Sequence, residues 1–159
     1  MSLGKKKLLI FIISYKASFR IKDVFKKIPF KKLNNYNTNV LISDDCSKDD
    51  TINFAKQIKK RNRNVILNEN KFNLGYGAHI KKCLNYALKH NYNYAVMIHG
   101  DGQFNPKYIP SLLSKFKKKK VSASTGSRIL RGIDKVRSGG MPLYKMAGNI
   151  ILTKFFNFL

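Results

Sequence analysis

Acidic side chains are scarce in this sequence. Of its 159 residues only 8 are Asp or Glu, against 32 Lys and Arg, which gives a formal net charge of +24. An excess of this sign favours an anionic ligand or an anionic surface as partner. Lys is abundant along the whole chain, so a biased composition explains the excess equally well. The charge therefore does not choose between a nucleotide, a membrane and a nucleic acid.

Cysteines and long apolar runs are also few. Cys46 and Cys83 are far apart and no His pair accompanies them, which argues against a zinc site and predicts two free thiols in a reducing cytoplasm. The apolar run at 8–13 is too short for a signal peptide or a membrane span, and no run reaches the roughly 18 apolar residues that a span needs. We expect a cytoplasmic protein with a buried first strand.

Short apolar runs alternate with amphipathic segments along the chain. Such alternation predicts an α/β domain with a mostly parallel sheet and right-handed crossovers, in which the run at 94–98 is a central strand. Ser47 and Asp50 have the spacing of a capping box, and Asn105 with Pro106 is typical of an N-cap and first turn. The predicted strands are 7–14, 39–43, 65–67, 94–98 and 121–125, and the predicted helices are 19–28, 48–61, 77–89 and 105–117.

Most of the few acids follow predicted strands. Asp44 and Asp45 end the second strand, and Asp101 directly follows the fourth. In open α/β sheets this edge is where ligands bind. Two adjacent acids exceed what helix capping needs, and carboxylates accept hydrogen bonds from bases and ribose hydroxyls, so the pair suits a nucleoside; plain capping is the alternative. Asp49 and Asp50 are interpreted as cap and surface groups.

A glycine-containing segment precedes the third predicted helix. Gly75 and Gly77 permit close approach of the backbone to a ligand, and a helix start that is followed by Lys81 and Lys82 suits a diphosphate. The third glycine of the dinucleotide-binding fingerprint is absent, which argues against a dinucleotide site. His79, in this segment, is interpreted as a packed or surface histidine.

A third polar segment, 99–103, follows the fourth strand. A hard divalent cation that bridges phosphate oxygens needs only one or two protein carboxylates, and Asp101 can supply one. The alternative is an Asp-Gly turn without a ligand.

Taken together, these segments resemble the family-two glycosyltransferases of the GT-A fold, and within them the polyprenyl-phosphate glycosyltransferases such as dolichyl-phosphate mannosyltransferase. The resemblance covers nearly the whole chain. It implies a three-layer α/β nucleotide-diphospho-sugar transferase fold that is incomplete at the C-terminus. The matching segments are IISYK (12–16), ISDDCSKDDT (42–51), NLGYGA (73–78), HGDGQFNPKYIP (99–110), TGSR (125–128) and GGMPLYKMAGN (139–149).

The resemblance implies metal-assisted, inverting transfer from a UDP- or GDP-sugar to a polyprenyl phosphate, another glycolipid or a glycan. This reaction belongs to cell-envelope biosynthesis at the cytoplasmic face of the membrane, and nucleic acid is not an expected partner. Asp101 and Arg128 would be catalytic, and Asp101 with His99 would hold Mg²⁺ or Mn²⁺. The implied nucleotide-sugar site comprises Ser14, Tyr15, Asp44, Asp45, Asn73, Gly75, Gly77, Lys81, Gly100 and Gln103.

Some positions depart from the family pattern. His99 replaces the first acid of the D-x-D metal motif, and imidazole prefers borderline ions to Mg²⁺. Lys16-Ala17 replaces the usual Asn-Glu, and Cys83 stands where glycine is common. Relatives continue further, so we expect a truncated chain: 1–140 would be the nucleotide-sugar-binding domain and 141–159 an amphipathic helix lying on the membrane. Such a chain would bind donor with little turnover.

Two other classes of protein stay open. A nucleotidyltransferase-like enzyme would need a Gly- and Arg-rich loop after the first strand, and 15–18 has none. A non-catalytic basic module that binds membrane or nucleic acid would show steep salt dependence and no preference for a nucleotide-sugar.

Overall fold

The computed structural model describes residues 4–116, 121–126, 144, 147–148, 151–152 and 155. The chain divides into two units, 1–118 and 119–159. In the first unit the elements are β1 (Lys6–Ser14), α1 (Ile21–Lys26), a 3₁₀ turn (Phe30–Leu33), β2 (Tyr36–Asp44), α2 (Thr51–Arg61), β3 (Val65–Glu69), α3 (Tyr76–Lys89), β4 (Tyr94–His99), a second 3₁₀ turn (Pro106–Tyr108) and α4 (Ile109–Lys115).

The four strands form one sheet in the order β3-β2-β1-β4, and every neighbouring pair is parallel. This confirms the predicted α/β class. Ser14 pairs with Asp44, and Asp44 pairs with Glu69, so the strands end together at one edge. We call this the carboxyl edge of the sheet and its opposite the amino edge.

Strand β1 is buried on both faces, as its unbroken apolar run predicts. Alternate side chains enter two different cores, because successive residues of a strand point to opposite faces. Leu8, Ile10 and Ile12 pack with α1, α2 and α4, whereas Leu9, Phe11 and Ile13 pack with α3. Two helical layers around one sheet make the predicted three-layer arrangement.

Helix α3 closes the second core with small side chains. Cys83 and Ala87 are 1% and 5% exposed and pack under Phe11. Burial raises the pKa of the Cys83 thiol. Cys46 is half-buried, and both cysteines are free thiols, as predicted.

Some predicted elements are wrong or misplaced. Residues 121–126 have no regular structure, so the predicted fifth strand is not formed there; the segment alternates small polar residues with only two apolar ones and buries little. Strand β4 lies at the edge of the described sheet instead of its centre, with Met97 36% exposed. The apolar run at 94–98 predicts a strand but does not report how many neighbours it has.

Of the predicted helix starts and caps, some are confirmed by the structure and others are not. The capping box at Ser47 is not formed, because its hydroxyl donates to Asp44 and α2 begins only at Thr51. Helix α1 is shorter at both ends than predicted. Asn105 does cap, since its side chain accepts from the N–H of Lys107.

The second unit is described only in part. Its residues 144, 147–148, 151–152 and 155 are helical, and Tyr144, Ile151 and Phe155 are exposed. The rest of the predicted 141–159 helix lies outside the described residues, and so does Arg128. The boundary at 140 and the membrane location of this segment stay predictions.

Candidate functional site

A cleft of about 360 Å³ opens at the carboxyl edge of the sheet. It lies where β1, β2 and β4 end and α3 begins, so segments far apart in sequence form its wall. Eight of the predicted site residues line it, together with others that were not assigned. The lining residues are Ile13, Ser14, Tyr15, Asp45, Asn73, Gly75, Tyr76, His79, His99, Gly100 and Asp101.

The floor of the cleft contains a buried hydroxyl. Ser14 is 2% exposed, and within the described part of the chain its Oγ has no hydrogen-bond partner. Gly100 packs directly against it, because a Cβ at that position would lie 2.5 Å from the Ser14 Oγ. Buried polar atoms are nearly always satisfied, so this hydroxyl marks a position for a ligand group or a water.

Asp45 connects the end of β2 to the loop before α3. Its Oδ1 accepts from the Asn70 amide at 2.8 Å and from the Leu74 N–H at 2.9 Å, and its Oδ2 accepts from the Gly75 N–H at 3.0 Å. Burial alone would raise the pKa of Asp45, but these hydrogen bonds and nearby His79 hold it below the ordinary value. The carboxylate is therefore ionised at neutral pH and positions the cleft wall.

Asp44 has a different environment from its neighbour. It is 1% exposed, and its two oxygens accept from the N–H of Ser47 at 2.8 Å and from the Ser47 hydroxyl at 2.6 Å. The Ser47 Oγ in turn accepts from the N–H of Lys16. Asp44 thus joins the loops after β1 and β2 and does not line the cleft. Its predicted contact with the nucleoside stays a prediction.

His79 was interpreted as a packed or surface histidine, and it is 3% exposed. Its Nε2 lies 2.7 Å from the Ser43 Oγ, which also accepts from the Asn68 amide. Burial lowers the pKa of His79, although Asp45 and Asp44 oppose the shift. The imidazole is therefore neutral at pH 7 and belongs to the hydrogen-bonded support beneath the cleft.

Sequence reasoning missed the aromatic neighbours of His99. The Tyr76 hydroxyl lies 3.3 Å from the His99 Nε2, and the Phe104 ring is 4.8 Å from the imidazole, centre to centre. In the sequence the binding signal is carried by the glycines on either side of Tyr76 and not by its ring. The sequence signal that could have identified Tyr76 is its position directly after Gly75, at the start of the predicted third helix.

Asp101 is the residue best suited to a divalent cation. It is exposed at the cleft, and its Oδ1 accepts from the N–H of Gln103 at 2.8 Å. Among the described residues no group of three or more His, Cys, Asp or Glu side chains could hold a metal ion. One carboxylate still fits a cation that takes its other ligands from phosphate and water.

The other predicted residues that the structure describes lie outside the cleft lining. Gly77 falls in the first turn of α3 with open space where a Cβ would be. Lys81 is exposed on α3, while the ammonium of its neighbour Lys82 donates to the Asn70 side chain that supports Asp45. Gln103 contributes its N–H to Asp101.

The profile of the family described as Glycosyl transferase family 2 matches residues 10–157. An uncharacterized protein of Methanocaldococcus jannaschii is 32% identical over 130 residues, which are 80% of this chain and 52% of that protein. The chain thus spans about half the length of this curated relative.

Solved structures share the fold at low sequence identity. A mannosyltransferase from Pyrobaculum calidifontis, in complex with GDP-Man and Mn²⁺, matches with a TM-score of 0.56 and 15% identity over 75% of this chain and 34% of its own. A fragment of S. aureus TarS in complex with UDP-GlcNAc matches with a TM-score of 0.50 and 22% identity over 70% of this chain and 31% of its own. In the described residues no helix is long and apolar enough to cross a membrane.

Proposed function

The chain belongs to glycosyl transferase family 2, and from this premise we propose that its cleft binds a UDP- or GDP-sugar and that the sugar is transferred to an acceptor at a membrane surface. The acceptor is a polyprenyl phosphate, as in the dolichyl-phosphate mannosyltransferases, or another glycolipid. The observation that carries the donor site is the juxtaposition, in one cleft at the carboxyl edge, of the Asp101 carboxylate and the buried Ser14 hydroxyl, which has no hydrogen-bond partner among the described residues. The solved neighbours with UDP-GlcNAc and GDP-Man support donors of this class.

Each part of the donor has a matching part of the cleft. The Ser14 hydroxyl and the exposed ring of Tyr15 suit the nucleoside, beside the Asp45 carboxylate. The start of the 14-residue helix α3, directly after Gly75, suits the diphosphate, since the first N–H groups of a helix have no partner within the helix and the helix dipole favours anions there. Asp101 would hold Mg²⁺ or Mn²⁺ against the same phosphates.

The proposed reaction is a single displacement at the anomeric carbon. The acceptor oxygen forms its bond on the face opposite the diphosphate, the old carbon–oxygen bond breaks, and the configuration inverts. A phosphate acceptor is already anionic at neutral pH and needs no strong base, whereas a glycan hydroxyl would pass its proton to a basic side chain of the cleft, His99 or Asp101. When bound, a divalent cation supplies positive charge that stabilises the departing nucleoside diphosphate. Asp45 holds the loop at Leu74 and Gly75 through their N–H groups, so the start of α3 that follows is positioned before the donor binds.

Calorimetric titration with UDP, GDP, UDP-GlcNAc and GDP-mannose tests the donor site. We expect one nucleotide class to bind, and Ser14→Ala to weaken that binding by about fivefold to tenfold through loss of one hydrogen bond. Ser111→Ala, on the exposed side of α4, is the matched control and should change nothing. Absence of binding by every nucleotide at millimolar concentration would contradict the proposal.

The metal assignment has its own test. Asp101→Asn should abolish the extra thermal stabilisation that Mn²⁺ adds to a nucleoside diphosphate, because the amide is a poorer ligand than the carboxylate. Stabilisation by the nucleotide in EDTA should persist. Asp23→Asn, on the exposed side of α1, is the control. If Mn²⁺ stabilises Asp101→Asn and the wild type equally, Asp101 is not the ligand.

A further inference from the structure

Charge is distributed very unevenly between the two edges of the sheet. Within 4–116 every acidic residue except Asp23 lies at the carboxyl edge, where Asp45 and Asp101 line the cleft. Asp44 and Glu69 are the last residues of their strands, and Asp101 follows another. The amino edge carries no Asp or Glu among these residues. The four helices, the 3₁₀ turn at 30–33 and the segments before β1 and β3 all contribute exposed Lys or Arg there. Examples are Lys5, Lys27, Lys32, Lys60, Arg63 and Lys89.

The topology of the fold gathers these cations. In a parallel sheet each helix runs back to the edge where the strands begin, so the last turns of α1, α2, α3 and α4 meet there. Hydrogen bonds tie the segments together at this edge: the Lys7 ammonium donates to the His90 carbonyl at 2.6 Å, and Lys6 donates to the Tyr94 hydroxyl at 3.2 Å. The basic residues therefore share one end of the unit.

Helix dipoles alone do not account for this edge. The negative C-terminal ends of helices favour a cation in the last turn, which explains Lys26 in α1 or Lys89 in α3. They do not explain Lys5, which precedes a strand, or Lys31 and Lys32 in a 3₁₀ turn, or the lack of acids among the described residues. Like charges also repel one another, so such a surface is most stable beside an anionic partner.

We propose that the amino edge is a docking surface for an anionic lipid bilayer. Single-stranded nucleic acid binding uses exposed aromatic rings as stacking platforms. Within 4–116 the strongly exposed aromatics, such as Tyr15, Phe19 and Phe72, lie at the carboxyl edge. At the amino edge Tyr92 and Tyr94 are half-buried, and the ammonium groups of Lys7 and Lys6 lie over their rings at 4.9 and 5.4 Å, which leaves less ring face for stacking. Instead, Leu88 is 73% exposed next to Lys89, in the arrangement of an apolar side chain among basic ones that suits a membrane interface.

Docking by this edge limits which acceptors can reach the cleft, an inference that rests on the proposed function. Strand β1 has 9 residues, so the two edges are about 30 Å apart. The cleft therefore faces away from the lipid. A phosphate at headgroup level does not reach it, whereas the far end of a glycolipid that already carries an extended glycan does. The favoured acceptor class is such an elongated glycolipid.

Vesicle co-sedimentation of the full chain tests the surface, with phosphatidylcholine alone and with about 30% phosphatidylglycerol added. Two triple variants make the same change in net charge at exposed positions on opposite edges. The amino-edge variant carries Lys27→Glu, Lys31→Glu and Lys32→Glu. The carboxyl-edge control carries Lys48→Glu, Lys71→Glu and Lys107→Glu.

We expect the wild type to bind only the anionic vesicles, the amino-edge variant to lose at least about tenfold in affinity, and the control to lose less than about threefold. Equal losses in the two variants would mean that net charge, not this edge, binds lipid, and would overturn the proposal. No binding of the wild type to anionic vesicles would overturn it too. The proposal would also be overturned if the wild type bound poly(U) RNA more tightly than vesicles and the amino-edge variant lost that RNA binding.

Nucleotide titration of the same variants separates this surface from the donor site. The amino-edge variant should bind the nucleotide as the wild type does. A wild type that binds anionic vesicles but no nucleotide would contradict the proposed function and leave the lipid surface standing. Faster transfer to a membrane-embedded polyprenyl phosphate than to an elongated glycolipid would overturn the inferred orientation.

Discussion

Asp44 and Asp45 are adjacent in sequence, yet their side chains have different tasks. Successive residues at a strand end point to opposite faces. Asp44 therefore reaches Ser47 and the loop after β1, while Asp45 reaches the loop before α3 and the cleft. The pair of acids was recognisable in the sequence, but the side on which each carboxylate finds its donors was not.

Asp45→Asn is predicted to destabilise the fold. The amide has one oxygen, so either the Leu74 N–H loses its acceptor or an NH₂ group faces the Gly75 N–H, which then keeps only its bond to Asn73. We expect a cost of about 1.5–3 kcal/mol at neutral pH. The folded pKa of Asp45 lies below its ordinary value of 3.8. The wild-type advantage is therefore fully present above that value and is lost as the pH falls through the lower folded pKa.

Urea unfolding of the wild type and Asp45→Asn, at pH 7 and between about pH 5 and pH 3, measures this difference. Asp23→Asn, at an exposed position of α1, is the control. A stability difference that stays constant down to pH 3 would show that the ionised carboxylate is not what holds the loop.

At the scale of elements, helix α3 contributes to both cleft and core. Its side chains at 76, 79, 83 and 87 recur at helical spacing, so one face of the helix carries Tyr76 and His79 at the cleft and Cys83 and Ala87 in the core. The helix starts after Gly75, whose φ of +76° is unfavourable for other residues. Helix packing against the sheet thus sets the position of the cleft wall.

Gly77→Ala is predicted to change the stability of the fold and its nucleotide binding in opposite directions. A Cβ at Gly77 meets nothing within 4 Å, and alanine is the better helix former, so the free energy of unfolding should rise by about 0.5–1 kcal/mol. If the Gly77 backbone lies against the donor diphosphate, nucleotide binding should fall at the same time. Thermal unfolding and calorimetric titration measure the two effects.

Gly100→Ala is the contrasting variant, because its Cβ would clash with the Ser14 Oγ in the cleft floor. It should lower both stability and nucleotide binding. Unchanged nucleotide binding by Gly77→Ala would remove Gly77 from the donor site, while a loss of stability would contradict the open space around it.

At the scale of the whole molecule, the net charge of +24 opposes compaction through self-repulsion. Salt screens exposed charges over about 8 Å at physiological ionic strength. We therefore predict that Tm rises by a few degrees when NaCl increases from about 0.05 to 0.5 M. Scanning calorimetry with sucrose as a neutral control measures this. A Tm that falls with salt would show that attractive ion pairs outweigh the repulsion.

Much of the architecture followed from the sequence by itself. Unbroken apolar runs such as 8–13 predict strands buried on both faces, and amphipathic segments between them predict covering helices, because both signals are local. The acids at 44, 45 and 101 were assigned to one sheet edge because each follows a predicted strand of a parallel sheet. The predicted strand at 121–125 was wrong because alternation over so few residues carries little information about pairing.

Only the tertiary structure decided which groups meet. Ser14 lies beside Gly100, Asp45 beside Leu74 and Gly75, and Tyr76 beside His99 because parallel register and helix packing align segments that are distant in sequence. The same register places nearly all the described acids at one edge and leaves only basic charges at the other. Local patterns record propensity and burial, whereas side-chain partners depend on the order of strands and the direction in which each helix returns.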